Sequence, residues 1–566
     1  MRGKIKGHYV LISIWSVLLF LSSFTNPDAH HDGIILHYGS LAGKGLIPHE
    51  DFYSQWGPLF SYFVTIPQLL QSDLYVLRLF SLICFLILAI VYMKFLNLMG
   101  LEKLTLPLSI LFCLSYPGLI VYGADNNHPF WNLGWPNQYA FTFLLASLIF
   151  LIDKSRLTDK RSRILLGALF LQISPYIRFN FFPLTISLTF VLAFYYFRQS
   201  RTLREFTWFT IASASTNLFI LGSFYWLGIL DEWWTQNFLD PLLNDSIGVV
   251  GSLNSEFIIG YAKSHLILSI VLLFTVFAFT RKTSSERILY PILLSIYGII
   301  VFLFTSSASL NKESNRFLVW TDKVFQDMPL SYISLSLVYF PAAFVYLFLR
   351  RGYRDQNLTI LAVGSLFSFP LLHNLNVDYI WMNSYFLIPF VLRIYNEGKK
   401  RIFDGKVFVQ VSLHICAVWI LIIASRFTVA EKFTFTDPPL NGMLSTSRNI
   451  QQEISGNLKL ISNLNENKNV VSICNDFLYE ASENFNPSSL STRRLFRDEV
   501  LNERIKLPTE LTRTDALFVC GINEKELGTL KLKFPNREFI QFRSDVSGNV
   551  YISVLIRLKG ESSGGG

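Results

Sequence analysis

The chain has 566 residues and carries 49 Lys and Arg against 40 Asp and Glu, a formal net charge of +9. Apolar residues make up 51%, charged residues only 16%, and aromatics reach 16% with 52 Phe, 25 Tyr and 11 Trp. Soluble globular chains carry about 25% charged residues. This composition therefore excludes a disordered chain, a collagen, a coiled coil and an ordinary cytosolic enzyme. It points to a polytopic membrane protein, in which lipid replaces water against much of the surface. The basic excess is then expected in loops on one membrane face, and no nucleic-acid partner is implied.

The first apolar run, Tyr9 to Phe24, follows Arg2, Lys4 and Lys6 and is not followed by a small-x-small cleavage site. It reads as an uncleaved first helix with its N-terminus inside. A long connection, 25–73, comes next; within it Gly33–Gly43 and Pro58–Leu70 have amphipathic spacing and read as two helices lying in the interface. Further apolar runs fall at 74–96, 104–122, 138–152, 164–177, 181–197, 206–228, 262–280, 288–305, 331–349, 358–374, 384–395 and 408–425, about thirteen with the first. The pair around Arg178 and the run at 384–395 are short of the ~20 residues that cross ~30 Å of hydrocarbon. A broken or tilted helix lining a cavity suits them.

Loop charge tests this count. Counted from an inside N-terminus, the even-numbered connections hold Lys154, Arg156, Lys160, Arg161 and Arg163, then Arg198, Arg201 and Arg204, and further basic groups at 281–287, 350–354 and 399–406. The opposite connections 123–137, 229–256 and 375–384 contain no Lys or Arg. That asymmetry is what the positive-inside rule demands, and it sets the N-terminus in and the C-terminus out.

Residues 1–425 thus form the membrane part, and after it the composition turns polar. Residues 426–560 read as a small extracytoplasmic α/β domain. Strands are expected at Asn469–Cys474, Asp515–Cys520, Phe539–Phe542 and Val550–Leu558, the last two around a turn at Asp545–Asn549, with a helix over Met443–Leu464. Whether Cys474 and Cys520 pair depends on the compartment. Residues 561–566 read as a flexible tail. The fold class is an α-helical polytopic membrane protein with a small C-terminal α/β domain.

Candidate chemistry gathers on the outward face. Asp28, His30, His31 and Asp32 sit where the first helix leaves the membrane. A carboxylate held there, partly desolvated, can take a proton from an acceptor hydroxyl near neutral pH. The alternative is that both aspartates cap the helix that follows; Asp28 fits the cap better, and Asp32 the functional role. His30, His31 and Asp32 point in different directions from a helix start, so no shared metal is expected. No GxxxxGK[ST] loop is present, which disfavours ATP-driven transport.

The stretch Asp32-Gly33, Gly45-x-x-Pro48, Asp51-Phe52, Gly57-Pro58-Leu59 and Tyr62 resembles the first external loop of the GT-C superfamily of membrane glycosyltransferases. Within that superfamily it is similar to the group of protein O-mannosyltransferases and aminoarabinose transferases. The run 74–95, with Leu77-Arg78-Leu79, resembles their second helix. The resemblance covers roughly the first 200 residues. It implies a GT-C-like fold with an external catalytic face, and inverting transfer of a sugar from a polyprenyl-phosphate carrier without an essential divalent ion or other cofactor. The family's acidic first-loop position, general base or acceptor orienter, maps onto Asp32. The family often has Asp-Glu where this chain has Asp32-Gly33, so one carboxylate is missing. Asp51 falls on the family's Asp-Phe position and is expected to hold the loop.

The next external loop has Asp125 as its only carboxylate; it either helps bind the acceptor or caps a turn rich in Asn and Gly. Trp131 and Trp135 in that loop can stack on a sugar ring or anchor at the interface. Arg178 stands between two apolar runs on the outward face, where a charge costs roughly 2.5–3.5 kcal/mol unless paired or near water. A donor phosphate is a natural partner, since guanidinium matches its oxygens in two-pronged fashion; the alternative is an arginine snorkelling to lipid headgroups. His373 can face the same cavity, or sit satisfied at the interface, and Arg316 and Lys323 are weaker phosphate candidates. The expected function is a glycosyltransferase of the cell inner membrane, facing the periplasm or exterior, with a polyprenyl-phosphate sugar donor, a glycan, lipid or protein acceptor, and membrane lipids as partners. The competing expectation is a lipid or oligosaccharide carrier without catalysis.

Overall fold

The computed structural model describes residues 31–70, 73–102, 136–153, 159–199, 203–239, 355–368, 385–393, 433–445, 448–462, 470–472 and 516–558, a few positions inside these stretches excepted, together with isolated residues such as Phe20, Phe24 and Pro27. The expected spans at 9–24, 104–122, 262–280, 288–305, 331–349 and 408–425 lie outside the described residues but for isolated positions, as does the tail at 561–566.

The described helices are α1 (His31–Gly43), α2 (Pro58–Gln68), α3 (Leu74–Leu98), α4 (Pro136–Ile152), α5 (Lys160–Ile177), α6 (Phe182–Gln199), α7 (Arg204–Trp226), α8 (Leu230–Trp234) and α9 (Gln356–Phe367). Among the described residues, α3 and the segment Phe179–Arg198 containing α6 are long and apolar enough to cross a membrane. Helix α7 with residues 230–237 makes a third if counted as one span, although the two are bent by 115°. Helix α4 is apolar but shorter, at 17 residues.

Helix boundaries follow local chemistry. Asp159 caps α5, its carboxylate accepting the backbone N–H groups of Arg161 and Ser162. Pro58 opens α2, where a missing N–H costs nothing. The break between α5 and α6 falls at Arg178, whose extended backbone (φ −140°, ψ 109°) ends one helix before a 3₁₀ turn, Phe179–Phe181, starts the next.

Helices α4, α5 and α7 pack side by side, with α3 on α4 and α9 on α6. Basic contacts collect at one end of this bundle. Lys94 pairs with Asp153 at 3.4 Å, Lys160 pairs with Glu205, and the Arg204 guanidinium lies 4.4 Å from the Trp208 ring centroid. The Tyr196 hydroxyl donates to Leu151 O at that same end, at 2.9 Å. The first loop docks on the opposite end.

That loop differs from expectation in one respect. Helix α2 has the two faces of an interfacial helix, with Phe60 and Val64 buried and Tyr62 and Ile66 exposed. Helix α1 does not: every residue from Asp32 to Ala42 is buried. Helix α2 clamps α1. Thr65 Oγ1 donates to Gly39 O at 2.8 Å, and Gln68 Nε2 donates to Leu36 O at 2.7 Å. A ring ladder of Tyr38, Trp56, Phe60 and Tyr139, with centroids 4.9 to 5.7 Å apart and steep interplanar angles, joins α1, the loop, α2 and α4.

In the C-terminal region a short antiparallel pair, β1 (Phe433–Thr434) and β2 (Leu444–Ser445), precedes α10 (Arg448–Ser462). Then come β3 (Val470–Ser472), β4 (Ala516–Ile522), α11 (Glu524–Lys533), β5 (Arg537–Val546) and β6 (Asn549–Leu558). The four later strands form one sheet in the order β3-β4-β6-β5, with β3 and β4 parallel and the other pairs antiparallel. Leu444 N–H donates to Phe24 O at 2.8 Å, and Phe24 stacks on Tyr75 at the head of α3, so β2 lies against the exit of the first apolar run.

Candidate functional site

Asp32 stands in the first turn of α1 and Arg78 in the second turn of α3. Their side chains form an ion pair, Arg78 Nη2 to Asp32 Oδ2. Both groups are withdrawn from solvent, with relative exposures of 2% for Asp32 and 1% for Arg78. Breaking such a pair by removing one partner strands the other charge in a low-dielectric setting. Next to it, helix α3 offers Ser81, whose hydroxyl meets Tyr139 Oη at 3.1 Å and whose carbonyl accepts from Gln138 Nε2 at 2.9 Å. One residue earlier on α4, Asn137 is buried with both ends of its carboxamide unbonded. Charged and amide groups therefore line the facing ends of α1, α3 and α4.

Arg178 lies at the C-terminal end of α5 and is 7% exposed. The first loop reaches this point directly. Gly57 N–H donates to Ile177 O at 3.1 Å, and a Cβ on Gly57 would stand 1.9 Å from Tyr176 O. Glycine is needed here for closeness, because its backbone (φ −63°, ψ 148°) is open to any residue. The end of α5 is held in turn by a polar relay across three helices. Tyr176 Oη donates to Asn217 Oδ1 at 2.7 Å, Asn217 Nδ2 donates to Gln172 Oε1 at 3.0 Å, and Gln172 Nε2 donates to Thr189 Oγ1 at 2.9 Å.

The middle of the loop hangs on Gln236, just past α8. Its carboxamide oxygen accepts Ser54 N–H at 3.1 Å and meets His49 Nδ1 at 2.7 Å. That oxygen cannot donate, so His49 carries its proton on Nδ1. Burial pushes the His49 imidazole down from 6.5 to about 4, against the opposing pull of its hydrogen bonds to Gln236 and the Trp56 backbone. His49 is thus neutral near pH 7, and it occupies a left-handed backbone conformation, φ +74°. Asp51 is exposed at the loop's turn, where its carboxylate accepts Ile47 N–H at 2.7 Å.

The structure thus ties Asp32, Asp51 and Arg178, all expected from sequence, into one assembly through the first loop. Asp28, Asp125 and His373 lie outside the described residues, as do Trp131, Trp135, Arg316 and Lys323. Sequence reasoning did not single out three site groups. Arg78 had a signal, a charge near the start of an apolar run and within the quoted Leu77-Arg78-Leu79. His49 and Gln236 had none, because their contact spans 187 residues.

No family model and no curated protein matches the sequence. Among solved structures, the chain is similar to ArnT from Cupriavidus metallidurans in the apo state, at 10% identity over 98% of each chain and a TM-score of 0.39. It is equally similar to ArnT from the same organism bound to undecaprenyl phosphate, at 10% identity over 98% of each chain and a TM-score of 0.40. An oligosaccharyltransferase from Archaeoglobus fulgidus aligns with 74% of this chain and 55% of its own, at 11% identity and a TM-score of 0.38.

Proposed function

We propose that the chain is an integral membrane glycosyltransferase that moves a sugar from a polyprenyl-phosphate-linked donor to an acceptor on the extracytoplasmic face of the inner membrane. The observation that carries this reading is the docking of the first loop. One end of the loop, at α1, bears Asp32, and its other end, at Gly57, is bonded to the helix terminus that bears Arg178. An acid and a phosphate-matching cation thus belong to one connected unit, at the end of the bundle away from the basic contacts of Lys94, Lys160 and Arg204.

In this reading Asp32 accepts the proton of the acceptor hydroxyl as the acceptor oxygen attacks the anomeric carbon. The bond from that carbon to the donor phosphate oxygen breaks, and the lipid phosphate leaves with the electron pair. Arg178 neutralises the phosphate charge as it develops, through two parallel N–H···O bonds. A single displacement inverts the anomeric centre. Acceptors are glycans, lipids or proteins that present a hydroxyl or amine at the membrane surface. The C-terminal sheet and its helices shape acceptor access.

The purified full chain in detergent, given a panel of synthetic polyprenyl-phosphate sugars, tests this. Wild type releases polyprenyl phosphate and passes the sugar on, Asp32→Asn reduces the rate by about 10²–10⁴-fold, and Arg178→Gln raises KM for the donor. Wild-type protein that moves lipid across vesicles and never cleaves the sugar–phosphate bond would instead be a carrier.

A further inference from the structure

A carboxyl group taken out of water gains nothing by being ionised; left to itself it holds its proton and cannot act as a base. Asp32 is 2% exposed, so a catalytic part for it requires a compensating charge close by. Arg78 supplies one. It sits on a different helix, 46 residues away, and its side chain is buried in a largely apolar segment. We propose that Arg78 is a positioning residue for Asp32: it keeps the carboxylate ionised and fixes its aim, without itself touching the substrate. This rests on the reading of Asp32 as the base.

The geometry supports a steering part as well as a charge. A guanidinium is planar and holds its N–H groups in fixed directions, so the Nη2–Oδ2 contact limits how the carboxylate can turn. One carboxylate oxygen, Oδ2, is taken up by Arg78 Nη2, which orients the other. The base of that salt link is itself held. Three residues on, Ser81 is bonded to Tyr139 and Gln138 of α4, which fixes the rotation of α3 about its own axis at the level of Arg78. A lysine in place of Arg78 would deliver the charge without those fixed directions.

Infrared difference spectra of the full-length protein in detergent at neutral pH test this without any ligand. Wild type minus Asp32→Asn is expected to show positive carboxylate stretches, with no positive C=O stretch of a protonated carboxylic acid. R78Q minus D32N/R78Q is expected to show the C=O stretch of a protonated carboxylic acid. R78K is expected to keep the carboxylate, and in the transfer assay to lower kcat by about tenfold or more with KM for the donor within about twofold, since loss of aim acts on the reacting step. The proposal is overturned if Asp32 stays ionised in R78Q, if it is already protonated in wild type, or if R78K moves KM and leaves kcat alone. Should R78Q fail to fold, the wild-type spectrum and the R78K split decide the matter. If the spectra behave as expected while D32N transfers sugar at the wild-type rate, the ion-pair assignment stands and the general-base reading of Asp32 falls.

Discussion

Gly57 is where the loop carrying the candidate acid meets the helix carrying the candidate phosphate ligand, and replacing it by alanine isolates the value of that junction. The backbone there (φ −63°, ψ 148°) accepts alanine, so no conformational strain enters. The whole effect comes from the added methyl. It would stand 1.9 Å from Tyr176 O, 2.4 Å from Tyr176 C and 3.0 Å from Ile177 C, where ordinary contact begins at 3.4 Å. All three neighbours are backbone, so none can swing aside, and the two segments must part by more than an ångström. Overpacking of this kind costs typically 1–3 kcal/mol. The parting also breaks Gly57 N–H···Ile177 O, worth about 1 kcal/mol. A total of roughly 2–4 kcal/mol follows. Gly222 in α7 is the control, because a Cβ there meets nothing within 4 Å, and alanine in a helix interior is favoured over glycine by about 0.5–1 kcal/mol. Thermal melting in detergent should place G57A several degrees below wild type and G222A at or above it. Donor KM should rise in G57A, since Arg178 follows Ile177 directly. A G57A protein that melts with wild type and keeps its donor KM would refute this account of the junction.

His49 makes loop stability depend on pH. Its value is lowered from 6.5 in the unfolded chain to about 4 when folded. Between those values the unfolded state binds the extra proton, so stability is full above pH 6.5 and is lost as pH falls towards 4, by about 3 kcal/mol in all. His49→Asn, which tolerates the left-handed backbone, should flatten the melting-temperature profile across that window. Gln236→Leu strands the His49 Nδ1 proton and Ser54 N–H at roughly 1–3 kcal/mol each, so it should destabilise far more than Glu232→Ala, which removes one long 3.4 Å contact. Asn523 and Glu526 form a reciprocal cap on α11. Asn523→Ala should cost about 1 kcal/mol and raise hydrogen exchange in α11 while leaving α3 amides unchanged.

Long apolar periodicity made α3 legible, and the interruption Arg178-Phe-Asn180 correctly marked a break between α5 and α6. The alternating strands of the C-terminal region were legible too. Their edges were not: Phe539–Phe542 is the middle of β5, which runs Arg537–Val546 because β6 pairs with its whole length. Helix α1 shows where amphipathic spacing fails. Its Gly and Ser positions look like a polar face, yet they let neighbouring elements approach, as at Gly39 beneath Gln68. The loop pattern around it drew attention to Asp32, and the structure places it in a buried ion pair. The partner that decides its charge was not legible, since a sequence shows that an arginine sits among leucines without showing which carboxylate it faces. The carboxamide of Gln236 left no trace at all, being a neutral side chain in a polar stretch.

The placement of Arg78 has a mechanical corollary for the helix that bears it. Successive residues of α3 turn by about 100°, so Ser81, Phe85, Ala89, Tyr92 and Leu96, all buried, share a stripe with Arg78, while exposed Ile83, Ile87 and Ile90 fall on the reverse side. Spinning the rod by half a turn would carry the guanidinium into hydrocarbon at roughly 2.5–3.5 kcal/mol and desert Asp32 as well. The salt link thus acts as a keel alongside the Ser81 bonds to α4: together they set the azimuth of a 25-residue helix.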